Sequence, residues 1–211
     1  MASFASASVL QSANTLGAGK MGWVVAGEYD GNIWGGNETL IGGGGFLAYG
    51  VTDQLDVIGK VGYGSYGNVT PIGIDSASVM MLGVAAKYQL LAENATNMPV
   101  SVAALVGYQP STTTVNTALG SGQLTLGDLG VGAVVSKVMA PWVPYGALVY
   151  HSLTSNPGAT TATNLEIVLG TQMLLSKTSA IIGEVSLNSN TPSVGAAFTN
   201  TQISLGYTAK I

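Results

Sequence analysis

His151 is the only histidine in the chain. A general base of that type must therefore be this residue, and a metal site built from several histidines is excluded. Ser152 beside it is the obvious nucleophile to test. On an extended strand, however, adjacent side chains point to opposite faces, so the two cannot easily share a proton. His151 is expected to be an ordinary polar residue near a strand end. The absence of Cys removes thiolate chemistry, disulfides and Cys-ligated zinc. Gly62-Tyr-Gly-Ser-Tyr-Gly67 has the spacing of a dinucleotide-binding loop, but that loop works by presenting a helix N-terminus to pyrophosphate. Asn68-Val-Thr-Pro71 is a poor start for a helix, so the segment reads as a loop. Glu28, Asp30, Glu38 and Asp75 are acids near one set of strand ends, with nothing in the sequence to gather them around a base. No catalytic, cofactor-binding or metal-ligating residues are expected.

The remaining polar residues make sense only once the elements that carry them are read. Of 211 residues, 8% are Asp, Glu, Lys or Arg, about a third of the share in soluble proteins. The basic residues are all Lys and the net charge is −4, which offers no basic stripe and argues against a nucleic-acid partner. Every apolar stretch is interrupted before it reaches the roughly 18 residues of a transmembrane helix. A chain of this composition that crosses a bilayer must do so with strands closed into a barrel. Alternation of apolar with small or polar residues predicts about ten strands, at 20–30, 39–51, 54–65, 77–89, 99–109, 123–137, 142–152, 164–176, 179–188 and 197–211. Residues 1–18 precede them as an N-terminal periplasmic segment of unassigned fold, and 19–211 form the barrel.

Parity along these strands separates bulk from charge. Val57, Val61 and Tyr63 share one side of the third strand and Asp56 and Lys60 the other; Leu165, Ile167 and Leu169 oppose Glu166. The inward parity collects Glu28, Asp56, Lys60, Asp128, Glu166 and Glu184, with an inner face expected to be small rather than oily. Two readings stand side by side: a mutually satisfied network holding a closed barrel, or a narrow wet channel favouring cations. Leu124 and Leu126 are out of phase with Leu129 and Val131, which predicts a bulge or a misplaced strand edge in the sixth or seventh strand. Gly42 to Gly45 predict a thin or sharply curved wall.

The aromatics point to lipid outside. Trp23, Tyr49, Tyr88, Trp142, Tyr145 and Tyr207 fall near the strand ends that face short turns. Tyr29, Trp34, Tyr63, Tyr66, Tyr108 and Tyr150 fall at or beyond the opposite ends. Two girdles of Trp and Tyr are what the two membrane boundaries of a barrel select. The connections sort likewise, with short junctions at 51–54, 137–141 and 176–178 and long loops at 31–38, 65–76, 110–122 and 152–163; the junction at 90–98 breaks the pattern. Lys20, Lys87, Lys137, Lys177 and Lys210 lie near the short-turn ends, where their stems can reach water.

Tyr49-Gly-Val-Thr-Asp-Gln-Leu-Asp-Val-Ile-Gly-Lys-Val-Gly-Tyr63 resembles the strand-turn-strand hairpins of small bacterial outer-membrane β-barrel proteins. Asn14-Thr-Leu-Gly-Ala-Gly-Lys20 is similar to their entry segment. Ile203 to Ile211 alternates like their last strand but ends in Ile, where that family usually has an aromatic residue. The resemblance implies a closed, antiparallel, up-and-down transmembrane barrel in a bacterial outer membrane, shown in mature form without its signal peptide. The partners it implies are membrane lipid and lipopolysaccharide, with other envelope proteins or further copies of the chain. The expected role is structural, adhesive or within an envelope complex. The alternatives are a narrow passive channel or a lipid-modifying outer-membrane enzyme, and no cofactor is expected.

Overall fold

The structure is a computed structural model that describes residues 11–33, 37–69, 73–94, 98–156, 161–193 and 195–211. Ten strands follow one another: β1 (Met21–Gly31), β2 (Thr39–Gly50), β3 (Leu55–Gly67), β4 (Ser76–Leu91), β5 (Ser101–Thr117), β6 (Gly120–Ser136), β7 (Trp142–Asn156), β8 (Thr161–Leu174), β9 (Ser179–Pro192) and β10 (Phe198–Lys210). Each pairs antiparallel with its sequence neighbour, and β1 pairs with β10 through Val25↔Tyr207 to close the barrel. Closure leaves no long unpaired edge within the wall.

The outer face is apolar. Val57, Val61, Leu82, Leu169, Leu187 and Leu205 all project outward and are exposed. Within the strands, Glu28, Asp30, Asp56, Lys60, Lys87, Asp128, His151, Glu166, Glu184 and Lys210 all occupy inward positions, so no strand carries a charge on its outer face. Trp23, Tyr29, Tyr49, Tyr63, Tyr88, Trp142 and Tyr207 point outward near strand ends, and Trp23 and Tyr207 pack with ring centroids 5.5 Å apart. Tyr108 and Tyr150 also point outward but lie mid-strand rather than at the expected ends, because β5 and β7 run on to Thr117 and Asn156.

Several expectations need correction. Tyr145 and Tyr66 belong to neither belt, because their strand parity turns them inward; Tyr145 is buried and Tyr66 packs against the buried cluster of Ile33, Leu40, Val79 and Met81. Trp34 lies outside the described residues. Lys87 does not reach water at the rim but is buried inside. The register from β5 through β7 runs without a shift, because Leu126 simply faces inward while Leu129 and Val131 face out. The irregularity falls instead at Gln89/Leu91 of β4. The expected loops at 110–122 and 152–163 are mostly strand. Ser111 to Thr117 and Gly120 to Leu126 pair residue for residue, which the β-branched Thr and Val there favour. Gly62–Gly67 lies within β3, not before a helix. Gly44 pairs with Gly62, and a Cβ on Gly44 would reach 3.1 Å from the Gly62 Cα. The glycine run therefore lets two backbones approach closely.

Candidate functional site

The lumen is where the wall brings its buried polar residues together, and it is filled in layers. At the short-turn end, residues 11–18 enter the mouth. Lys87 stands opposite Asp56 in the β3–β4 register and its Nζ lies 3.3 Å from Asp56 Oδ2. The same ammonium donates to Gln11 Oε1 at 3.1 Å, Ser12 O at 3.3 Å and Asn14 O at 2.7 Å. Asp56 in turn accepts from the Leu16 amide at 3.1 and 3.2 Å, and the buried Ala13 amide donates to Ser136 Oγ at 3.0 Å. Gly50 makes room for this strap, since a Cβ there would collide with the Gly17 backbone. The segment is thus a short plug whose backbone polar groups are satisfied by wall side chains, as burial requires.

Above the plug lies an apolar layer of Val24, Phe46, Ile58, Val134, Val149, Val168 and Ile182. This corrects the expectation of a small, non-oily interior. The residues were visible in the sequence, but their shared height across the barrel was not.

The next layer holds the charges. His151 is buried and bridges two carboxylates, with Nδ1 2.9 Å from Asp128 Oδ2 and Nε2 3.3 Å from Glu166 Oε2. An imidazole donates from both nitrogens only when each carries a proton. It is not the rim residue expected, because the strand continues to Asn156 and carries His151 well inside. Tyr145 Oη donates to Glu184 Oε2 at 2.7 Å. The ring reaches across Gly170, which stands opposite Tyr145 on one side and Glu184 on the other, and a Cβ at Gly170 would occupy the ring's place. Lys60 Nζ sits 5.0 Å from the Phe46 ring centroid, within the electrostatic field of Glu166, Asp128, Glu184 and Glu28. Of the six inward residues read from parity, five share this layer, while Asp56 belongs to the plug.

Toward the loop end, neutral amides take over. Asn164 Nδ2 donates to Asn188 Oδ1 at 2.9 Å, Ser186 Oγ to Gln202 Oε1 at 3.1 Å, Asn190 Nδ2 to Asn200 Oδ1, and Asn200 Nδ2 to Asp30 Oδ1 at 2.7 Å. A final cluster of Ile33, Leu40, Val79 and Met81 covers part of this end. The amide ladder is absent from the sequence reading, although Ser186, Asn188 and Asn190 alternate with Val185, Leu187 and Ser189 in the parity that located Glu184.

A cavity of about 80 Å³ remains beside the charged layer, lined in part by Lys60, Gln109, Asp128, His151 and Glu166. It has room for a few waters, each needing about 10–15 Å³. Chemically the arrangement is an imidazole held between two carboxylates, and Ser152 lies on the opposite face of β7, away from it. Among the described residues no group of three or more His, Asp or Glu is placed to hold a metal ion.

No family profile matches the sequence, and no curated protein matches it. Solved structures do match in fold. The outer membrane protease OmpT of Escherichia coli aligns with 95% of this chain and 100% of its own, at 12% identity and TM-score 0.55. The translocator domain of the autotransporter NalP of Neisseria meningitidis aligns with 92% of this chain and 89% of its own, at 11% identity and TM-score 0.57. The β domain of the Bordetella autotransporter BrkA covers 92% of this chain and 100% of its own, at 10% identity and TM-score 0.55. The chain has the fold of these bacterial barrels.

Proposed function

We propose that the chain is an integral barrel of a bacterial outer membrane whose work is structural or adhesive, performed at its outer surface rather than through its lumen. The fold shared with an outer membrane protease and two autotransporter domains supports that location, as does an outer wall without charge. The observation that carries the role is the filling of the lumen: plug, apolar layer, charged layer and amide ladder succeed one another. What such a barrel offers to its surroundings is its rim. There the β5–β6 hairpin runs to a two-residue tip at Ala118 and Leu119, with Leu119 fully exposed. From Asn94 to Gly127 the chain carries no charged residue, so this projection meets a negatively charged cell surface without repulsion.

Planar-bilayer recording of the purified, folded chain tests the reading. The expected result is insertion without unit conductance steps. Stable steps that shrink on Asp128→Asn or Glu166→Gln would replace it with a narrow cation channel.

A further inference from the structure

The charges at the short-turn rim are divided between its two halves. In barrel order, β1, β10, β9, β8, β7 and β6 are consecutive. Their ends carry Lys20, Lys210, Lys177 and Lys137, all exposed. The other half carries Asp53 in the β2–β3 turn and Glu93 after β4, and its one cation, Lys87, is buried against Asp56. The two acids also mark the ends of the basic arc. Asp53 accepts from the Ala18 amide at 3.1 Å, close to Lys20, and Glu93 accepts from the Val138 amide at 2.8 Å, next to Lys137. Lys177 and Lys210 occupy the middle. They are held together by the backbone, because the Lys210 amide donates to Thr178 O at 2.8 Å.

Between this middle and the plug lies a cavity of about 260 Å³. Its lining includes Lys177, Lys210, Ser176, Thr178, Ser179 and Thr208, and no Asp or Glu lines it. Just outside are exposed Leu175 and Ile211. On the outer face of the same strand ends, opposite the inward parity of Thr208 and Lys210, Trp23 and Tyr207 pack at a tilt, so a headgroup lying over the rim reaches the ammonium groups while its chains run down the outer wall. Two ammonium groups and several hydroxyls above apolar and aromatic surface match an anionic phosphodiester above acyl chains. We propose that the Lys177–Lys210 face of the rim binds the headgroup of an anionic glycerophospholipid from the leaflet on the short-turn side. This rests on the barrel spanning a membrane. The binding would give the barrel a preferred orientation toward the leaflet richer in negative lipid, with the acidic half of the rim left free of it.

The test uses the full chain in isotopically labelled form, folded in phosphatidylcholine bicelles and titrated with phosphatidylglycerol of the same chain length. Amide resonances of Lys177, Thr178, Ser179 and Lys210 are expected to shift and saturate, while those of Asp53, Gln54 and Glu93 stay in place. Lys177→Gln with Lys210→Gln is expected to weaken the apparent affinity roughly ten-fold or more, and Asp53→Asn is not. Absence of saturable shifts, equal shifts on the acidic half, or unchanged affinity in the double variant would overturn the proposal. Equal shifts from glycerol 3-phosphate alone would also overturn it, by making the site one for a free phosphate ester. A chain that folds and stays soluble without bicelles would instead remove the membrane reading beneath it.

Discussion

At the short-turn end the lumen is stopped by a segment from outside the sheet, tied through one buried ammonium to Asp56 and to three oxygens of the strap. At the loop end the wall stops itself, with amides handing hydrogen bonds from β8 to β9, β10 and β1. The first closure concentrates its free energy in a few charged contacts between distant parts of the chain. The second spreads it over amide hydrogen bonds between neighbouring strands, only the last of which ends on an acid, Asp30. Removing one partner of a buried charge leaves the other uncompensated, whereas removing one amide from a ladder costs about one ordinary hydrogen bond. The plug end and the charged layer above it should therefore be brittle and the loop end tolerant.

Unfolding by denaturant in lipid vesicles can break or sharpen this contrast. The largest loss is expected from His151→Ala, which leaves Asp128 and Glu166 facing one another without the ring; about 3–5 kcal/mol should disappear. A loss under about 1 kcal/mol would mean that the layer is solvated and does not hold the wall. Lys87→Met should cost about 3 kcal/mol and also release the strap. A cysteine placed at Ala13 should then react quickly with a maleimide reagent, while the same cysteine in the otherwise unchanged chain stays protected. If it stays protected in both, the apolar contacts of Ala13 and Leu16 hold the plug instead.

Gly170→Ala tests the reach of Tyr145 toward Glu184. Overpacking beneath the ring should cost about 1–3 kcal/mol, and Tyr145→Ala in the same chain should make the added methyl nearly neutral. Additive losses from the two changes would show that the ring does not lie over Gly170. Smallest of all, Asn190→Ala is expected to cost about 1 kcal/mol and to leave labelling at position 13 unchanged. A loss as large as that of His151→Ala would erase the distinction between the two ends.

Much of the wall was readable one strand at a time. Tyr63 and Lys60 announce opposite faces of β3 because strand side chains alternate, and Leu169 and Glu166 do the same on β8. The same rule, applied to every strand, would also have turned Lys87 and Tyr145 inward. Both were placed instead by their distance from a strand end, which says nothing about the face. The loop-end boundaries drifted for a different reason. Thr112 to Asn116 read as loop by composition, yet pairing with Thr125 to Ser121 makes them strand, and only the partner strand supplies those hydrogen bonds.

The candidate site divides along the same line. Alternation is a property of the chain itself, so the sequence alone determined that Glu28, Asp128, Glu166, Glu184 and Lys60 share the inward parity of a barrel of about ten strands, and the fold settles the number at ten. Which of them meet is a matter of height and distance across the barrel. That depends on the registers of Asp56↔Lys87, Gly130↔His151 and Tyr145↔Gly170, on the close of β1 against β10, and on the return of residues 11–18 into the mouth. Each is a contact between residues far apart in the chain or across strands, set by the packing of all ten strands together. Only the folded barrel could decide that Lys87 holds a plug and that His151 joins two acids.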